Sequence, residues 1–295
     1  MLVNAILIPY FLGIFTNVSK ESDFDPEYLF EMNKVTVKYN PYVRSTNLSS
    51  RITCHPFQTN SLRCFIHNIT HVTSLNRTSD INNRVEIGQW FEMKFFEYSP
   101  EIQNILVTEK VPTKFIKSFM KDIIHQFNIG QIADIRHVKD AEGFRKSSYV
   151  GLQKTPIGKC LTKCIMKLRK YKKDTNEGLD PNFQIRLLDS HFDQKDIHVH
   201  IKKNRNRDCI YSMPYADFLN KGEVTSYFQV IEVIENKLRM YTEISGYQSK
   251  KAWSEESTDT EGIFFFSQTM DMQLINIISQ KTISFKDYNA TEFDY

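Results

Sequence analysis

One amphipathic segment, residues 111–130, lies between two long regions with a strand-like pattern, and it restricts the possible folds of the chain most strongly. In this segment, VPTKFIKSFMKDIIHQFNIG, apolar side chains recur at the spacing of one wide helix face, while the lysines and Asp122 fall on the other side. A Pro-Thr pair opens the predicted helix and Gly130 is placed to close it. The predicted apolar face consists of Phe115, Ile116, Phe119, Met120, Ile123, Ile124 and Phe127.

Short runs rich in Val, Ile, Phe, Tyr and Thr alternate with a period of two on both sides of the helix, which is typical of half-buried strands. One apolar helix face among many such strands needs a curved sheet to cover it. We therefore predict a mainly β (α+β) protein, a strongly curved antiparallel β-barrel with a central amphipathic helix. Because the sequence has no internal repeat or low-complexity linker, we predict one barrel domain, residues 20–295.

The first twenty residues, MLVNAILIPYFLGIFTNVSK, predict a targeting segment. The uncharged apolar run from Leu2 to Phe15 is interrupted by Pro9 and is too short to span a bilayer comfortably. Its length and position are typical of a secretory signal peptide, although its start carries no Lys or Arg. We predict a signal peptide at residues 1–19 and a secreted, extracellular protein without an integral membrane segment.

Asparagine and cysteine residues agree with an extracellular location. Sequons predict glycosylation at Asn47, Asn68, Asn76 and Asn289. Five cysteines suit two disulfides with one thiol left over. Two of them, Cys54 and Cys64, lie on neighbouring predicted strands with nine residues between them, so a hairpin could bring them together.

Three pieces of the sequence resemble a known family when they are taken in order. Residues 90–130 resemble the strand, strand, helix unit at the core of the N-terminal β-barrel of vitellogenins. TPIGKCLTKC followed by HIKKNRNRDC resembles that family's strand ending in Gly-x-Cys and its later Lys-rich segment ending in Cys. Residues 243–274 resemble the closing strands of the barrel and the loop between them. The resemblance covers roughly residues 25–280 and indicates a vitellogenin-like protein of the large lipid transfer protein family.

The resemblance implies a disulfide between Cys160 and Cys209, with a bond between Cys164 and Cys209 as the alternative. It also implies receptor recognition by the Lys-rich segment, whose candidate residues are Lys202, Lys203, Arg205 and Arg207. The family's lipid-cavity domains and serine-rich tract have no counterpart here. We therefore expect a truncated, stand-alone member, and we do not carry the family's bulk lipid transport over to it.

Charge is distributed unevenly along the chain. Residues 111–173 carry 15 Lys or Arg against four Asp or Glu, whereas residues 211–295 carry seven against 13. A cationic face of this kind attracts acidic partners, such as an endocytic receptor of the lipoprotein-receptor type, a sulfated glycan or, less plausibly, nucleic acid. The alternative is a solvated face without a partner.

Metal binding and catalysis have little support in the sequence. His198 and His200 alternate along a predicted strand and are weak Zn²⁺ candidates, because two ligands do not make a site. His191, Asp193 and Asp196 lie close by in sequence. We expect no metal and no cofactor, and the motifs of common enzyme classes are absent. The predicted function is partner recognition by a secreted, non-enzymatic glycoprotein, and the alternative is a small extracellular carrier of lipid or another hydrophobic ligand.

Overall fold

The computed structural model describes the chain in 14 segments that are almost entirely β-structure. The described residues are 5–16, 25–40, 42–75, 79–108, 113–130, 138–139, 145–155, 158–170, 183–188, 197–211, 222–234, 237–249, 263–280 and 290–292. Within them the chain forms 16 strands and one helix, α1 (Lys114–Phe127). The mainly β class predicted from the sequence is confirmed.

The strands vary from short bridges to elements of 18 residues, and nearly all are joined as antiparallel neighbours. In chain order they are β1 (Ala5–Ile8), β2 (Leu12–Thr16), β3 (Asp25–Asn40), β4 (Tyr42–Gln58), β5 (Ser61–Leu75), β6 (Ser79–Phe95), β7 (Ile102–Thr108), β8 (Val138–Lys139), β9 (Arg145–Thr155), β10 (Gly158–Lys170), β11 (Phe183–Leu187), β12 (Ile197–Tyr211), β13 (Gly222–Ile234), β14 (Lys237–Ser249), β15 (Ile263–Gln280) and β16 (Ala290–Glu292).

Thirteen of these strands form one sheet in the order β16-β7-β6-β5-β4-β3-β15-β14-β13-β12-β10-β9-β8. Most neighbours follow one another in the chain, whereas β15 returns to pair with β3 over their whole lengths. Among the described residues no hydrogen-bonded ladder joins the two edges of the sheet, so the predicted closed barrel is replaced by an open sheet.

The sheet curves around α1. The Phe127 ring meets Phe30 of β3 edge to face, with 5.3 Å between ring centroids. Just after the helix, the side-chain oxygen of Asn128 accepts a hydrogen bond from the Ile102 N–H of β7 at 3.3 Å. The backbone carbonyl of Asn128 accepts a hydrogen bond from the Lys203 ammonium of β12 at 2.6 Å. Because β7 and β12 stand near opposite edges of the sheet, only strong curvature brings both to one end of the helix.

The ends of α1 follow the predicted signals. The Thr113 hydroxyl caps the N-terminus by accepting from the Ile116 N–H at 3.4 Å, and Asn128 occupies the C-terminal cap. Gly130 has φ of 81°, and a Cβ at this position would collide with the Gln153 amide of β9. The positive φ favours glycine where the chain leaves the helix, whereas the Gln153 side chain could move aside.

The amphipathic pattern predicts the environment of α1 only in part. Asp122, expected on the solvent side, is buried and pairs with the buried Lys34 of β3. Phe115, expected in the core, is 42% exposed. From Asp122 onward every residue up to Gly130 is buried, because strands contact the second half of the helix from several sides. A polar helix residue there needs a partner on a strand instead of water.

A second sheet of three strands, in the order β1-β2-β11, packs against the main core. Leu7, Ile8, Leu12 and Ile14 are fully buried, and the Tyr28 hydroxyl of β3 donates to a carbonyl of β1 at 2.8 Å. The predicted signal peptide therefore covers residues that belong to this packing, and its removal stays a prediction. In the part of the chain that the structure describes, no helix has the length and apolar character needed to cross a membrane.

Candidate functional site

Strands β9, β10 and β12 are adjacent in the main sheet and carry most of its positive charge. Together they contain 12 Lys or Arg and one acidic residue, Asp208. In β10, alternate positions from Cys160 to Leu168 are buried, so the residues between them point away from the core. Burial of one face thus fixes which cations reach the outer surface.

Seven cationic side chains face outward on these three strands, and six of them are exposed, with Lys167 half-buried. They are Lys146, Lys154, Lys159, Lys163, Lys167, Arg169 and Lys202. Lys154 lies opposite Lys159, and Lys146 lies opposite Lys167. Because neighbouring strands are about 4.8 Å apart, these side chains concentrate positive charge on one surface of the sheet. We call this surface the cationic face.

The four receptor-binding candidates do not share one environment. Lys202 is exposed on the cationic face, with its ammonium 5.4 Å from the Phe228 ring centroid. The side chain of Lys203 points into the core, where only 3% of the residue is exposed. The Arg205 guanidinium is half-buried and donates to the Val224 carbonyl at 2.8 Å. The alternation of a strand separates Lys202 from Lys203, a signal that was already present in the sequence.

Lys203 closes the C-terminal end of α1. Its ammonium donates to the Asn128 carbonyl, in the region where helix carbonyls lack helical partners. Burial lowers the pKa of Lys203 to about 8, and the nearby Cys164 and Glu101 oppose this shift. The lysine thus has a structural contact inside the protein and is not available to a partner at the surface.

Both predicted disulfides are present. Cys54 and Cys64 are direct partners across β4 and β5, and Cys160 and Cys209 are partners across β10 and β12. Cys164 is a buried free thiol, so the alternative bond from Cys164 to Cys209 is not formed. The Cys160–Cys209 bond ties together two of the three strands that bear the cationic face.

The histidine pair faces outward on β12. The Nε2 atom of His200 lies 3.8 Å from a carboxylate oxygen of Glu232 on β13, and the His198 and His200 ring centroids are 6.4 Å apart. Burial lowers the pKa of both histidines, the Glu232 charge raises it, and the Arg169 charge lowers it further. No group of three or more His, Cys, Asp or Glu that could hold a metal ion occurs within the described segments.

A polar cleft of about 500 Å³ crosses the outer face of β3, β4, β5 and β6. It lies where register shifts interrupt the β4–β5 and β5–β6 ladders. Glu27, Arg51, His67 and Arg84 line it together with the half-buried sequon residue Asn68. The cleft is distant in strand order from the cationic face and carries both signs of charge.

The remaining predicted site residues divide between exposed and undescribed positions. The sequon residue Asn47 is exposed on β4. The residues outside the described part of the chain, or with side chains outside it, are Asn76, Asn289, His191, Asp193, Asp196 and Arg207.

Comparison with known proteins gives a structural match and no sequence match. No protein-family model and no curated protein matches the sequence. A solved structure concerned with lipid–protein interactions in lipovitellin matches with a TM-score of 0.56 and 10% sequence identity, over 90% of this chain and 26% of that chain. The chain thus spans about a quarter of the lipovitellin chain, and the likeness concerns the fold. The resemblance to vitellogenins in the sequence and the match to lipovitellin in three dimensions agree that this is a lipovitellin-like β-sheet fold.

Proposed function

We propose that the protein is an extracellular, non-catalytic recognition module that binds an acidic partner through the cationic face. The partner class is an endocytic receptor of the lipoprotein-receptor type, whose acidic, calcium-loaded modules complement such a face in charge. The observation that supports this proposal is the outward display of seven cations on three adjacent strands whose sequence contains a single acid. Steering by such a field raises association rates and makes binding sensitive to salt.

The packing around α1 favours recognition over transport of a hydrophobic ligand. Phe30, Phe119 and Phe127 are buried at the helix, where a carrier would need space for its cargo. The second half of α1 and its strand neighbours occupy that space. With the interior occupied by side chains, the outer surface is the better place for function.

The extracellular location rests on the disulfides and the sequons. Disulfides persist in oxidising compartments and are rare in the cytosol. Two are present, and the sequon residue Asn47 is exposed where a glycan would be solvated. These features support secretion independently of the predicted signal peptide.

Charge reversal on the cationic face tests the proposal. The full chain, with Lys163→Glu and Lys202→Glu combined, should bind immobilised acidic receptor modules on the order of tenfold more weakly than the unaltered chain. Lys237→Glu, a single reversal at an exposed position on β14, serves as the control and should bind within about twofold of the unaltered chain. Equal binding by the double variant, or an equal loss in the control, would remove the cationic face from the function.

A further inference from the structure

The cationic face contains exposed apolar side chains at its centre. Val150 of β9 is 59% exposed, Leu152 is 37% exposed, and Leu161 of β10 is 39% exposed. Leu152 and Leu161 are direct partners across the two strands, and Val150 lies opposite Lys163. We define the β9–β10 patch as these three apolar residues together with the flanking Lys154, Lys159 and Lys163.

The exposure of these apolar residues is fixed by the fold. A slip of one residue in β10 would turn Leu161 inward, but it would also turn Cys160 and Thr162 outward. Cys160 is held by its disulfide to Cys209, and Thr162 is 1% exposed. The patch therefore presents apolar and cationic groups side by side as a stable property of the sheet.

The chemistry of the patch distinguishes between classes of partner. Sulfated glycans and nucleic acids offer anions to the lysines, but their sulfate and phosphate groups make no favourable apolar contact with Leu152 and Leu161. An acidic receptor module that binds by charge needs only the lysines and leaves the exposure of Val150, Leu152 and Leu161 unexplained. A folded partner that also covered these apolar residues would gain from a recess that accepts its side chains. The patch lies instead on the outside of a sheet that curves around α1, and the polar cleft belongs to other strands.

A lipid surface offers both an apolar layer for the leucines and, closer to the water, anionic headgroups for the lysines. Apolar side chains enter the boundary between headgroups and acyl chains, while lysines extend their ammonium groups toward phosphate. Anionic lipids add an attraction for each lysine near the surface. Because a lipid surface deforms, it does not require a complementary groove.

We propose that the β9–β10 patch docks the protein on a phospholipid surface that carries anionic headgroups. Leu152, Leu161 and Val150 insert shallowly, and Lys154 and Lys159 contact the headgroups. This contact goes beyond receptor recognition. Both functions use lysines of the cationic face, but Leu152 and Leu161 take no part in charge steering, so their replacement affects lipid binding alone. The two proposals therefore fail separately.

Co-sedimentation of the full chain with vesicles tests this inference. We expect binding to phosphatidylcholine vesicles that contain phosphatidylserine and no comparable binding to phosphatidylcholine alone. Leu152→Thr with Leu161→Thr should weaken binding on the order of tenfold, and Lys154→Glu with Lys159→Glu should weaken it by at least as much. Threonine keeps the strand propensity, and thermal unfolding would verify that the variants are folded.

A second exposed apolar pair provides the matched control. Tyr39 and Val43 are direct partners on β3 and β4 and are 44% and 47% exposed. Their joint replacement by Thr should leave vesicle binding within about twofold of the unaltered chain, because they lie outside the cationic face. Heparin binding separates lipid from other polyanions: the Leu152→Thr and Leu161→Thr variant should retain it. The inference is overturned if this variant binds anionic vesicles as the unaltered chain does, or if the unaltered chain does not bind them.

Discussion

His125 lies in the buried half of α1, 8% exposed and among polar groups contributed by distant strands. The Gln229 amide of β13 donates to the His125 carbonyl at 3.0 Å, and the Gln126 amide donates to the Thr242 hydroxyl of β14 at 2.7 Å. Helical periodicity predicts most of the buried apolar residues of α1, but it does not predict that these polar residues are buried. Their partners lie about a hundred residues further along the chain, where no local pattern relates them to the helix.

The stability of the protein should decrease in acid because of His125. Burial, with the nearby Lys121, Lys203 and Lys154, lowers the pKa of His125 from 6.5 to about 3. The unfolded chain therefore binds a proton between pH 6.5 and 3 that the folded chain does not, and folding loses stability as the pH falls through this window. Between pH 6.5 and 5 the loss amounts to about 2 kcal/mol from this group.

Replacement of His125 by Gln tests this contribution. Denaturant titration of the unaltered chain should give a lower free energy of unfolding at pH 5 than at pH 7. In His125→Gln this decrease should be smaller by about 2 kcal/mol. His67→Gln alters an exposed histidine and should change this difference by less. An unchanged pH dependence in His125→Gln would show that His125 is not buried as a neutral ring.

At the scale of the elements, the sequence predicts what local patterns encode. The ends of α1, the hairpin of β4 and β5 and the outward lysines of β10 all follow from periodicity, caps and alternation. The β1-β2-β11 sheet was not predicted, because an apolar N-terminal run also matches a leader peptide. No local pattern indicates that β11 pairs with β2, because the two strands are more than 160 residues apart in the chain.

A chain that begins at residue 20 should be less stable than the full chain. It lacks Leu7, Ile8, Leu12 and Ile14, all fully buried, and each such side chain contributes about 1.5 to 3 kcal/mol when buried. We expect a loss on the order of 5 kcal/mol in the free energy of unfolding, because other side chains fill part of the space. A chain that lacks only residues 1–4 serves as the control. Equal stability of the two truncated chains would agree with removal of residues 1–19 as a leader.

At the scale of the whole molecule, the pairing of strands that follow one another in the chain is easier to predict from sequence than the pairing of strands that are far apart in it. A curved sheet around a helix follows from one apolar helix face among many strands, but the pairing of β3 with β15 connects residues more than 220 positions apart. The same limit applies to the candidate site. Composition indicates a basic region and strand alternation puts Lys202 and Lys203 on opposite faces, but only the folded sheet shows that Lys202 is the one at the surface.

The enclosure of α1 by the sheet is the claim on which both proposed functions depend, because it leaves binding to the outer surface. Hydrogen exchange of the native full chain measures it most directly, residue by residue along the helix. We predict that the amides from Ile123 to Phe127 open only with global unfolding, with a free energy equal to that from denaturant titration. Opening of these amides at a much lower free energy, similar to that of Lys117 near the exposed start of the helix, would contradict the account.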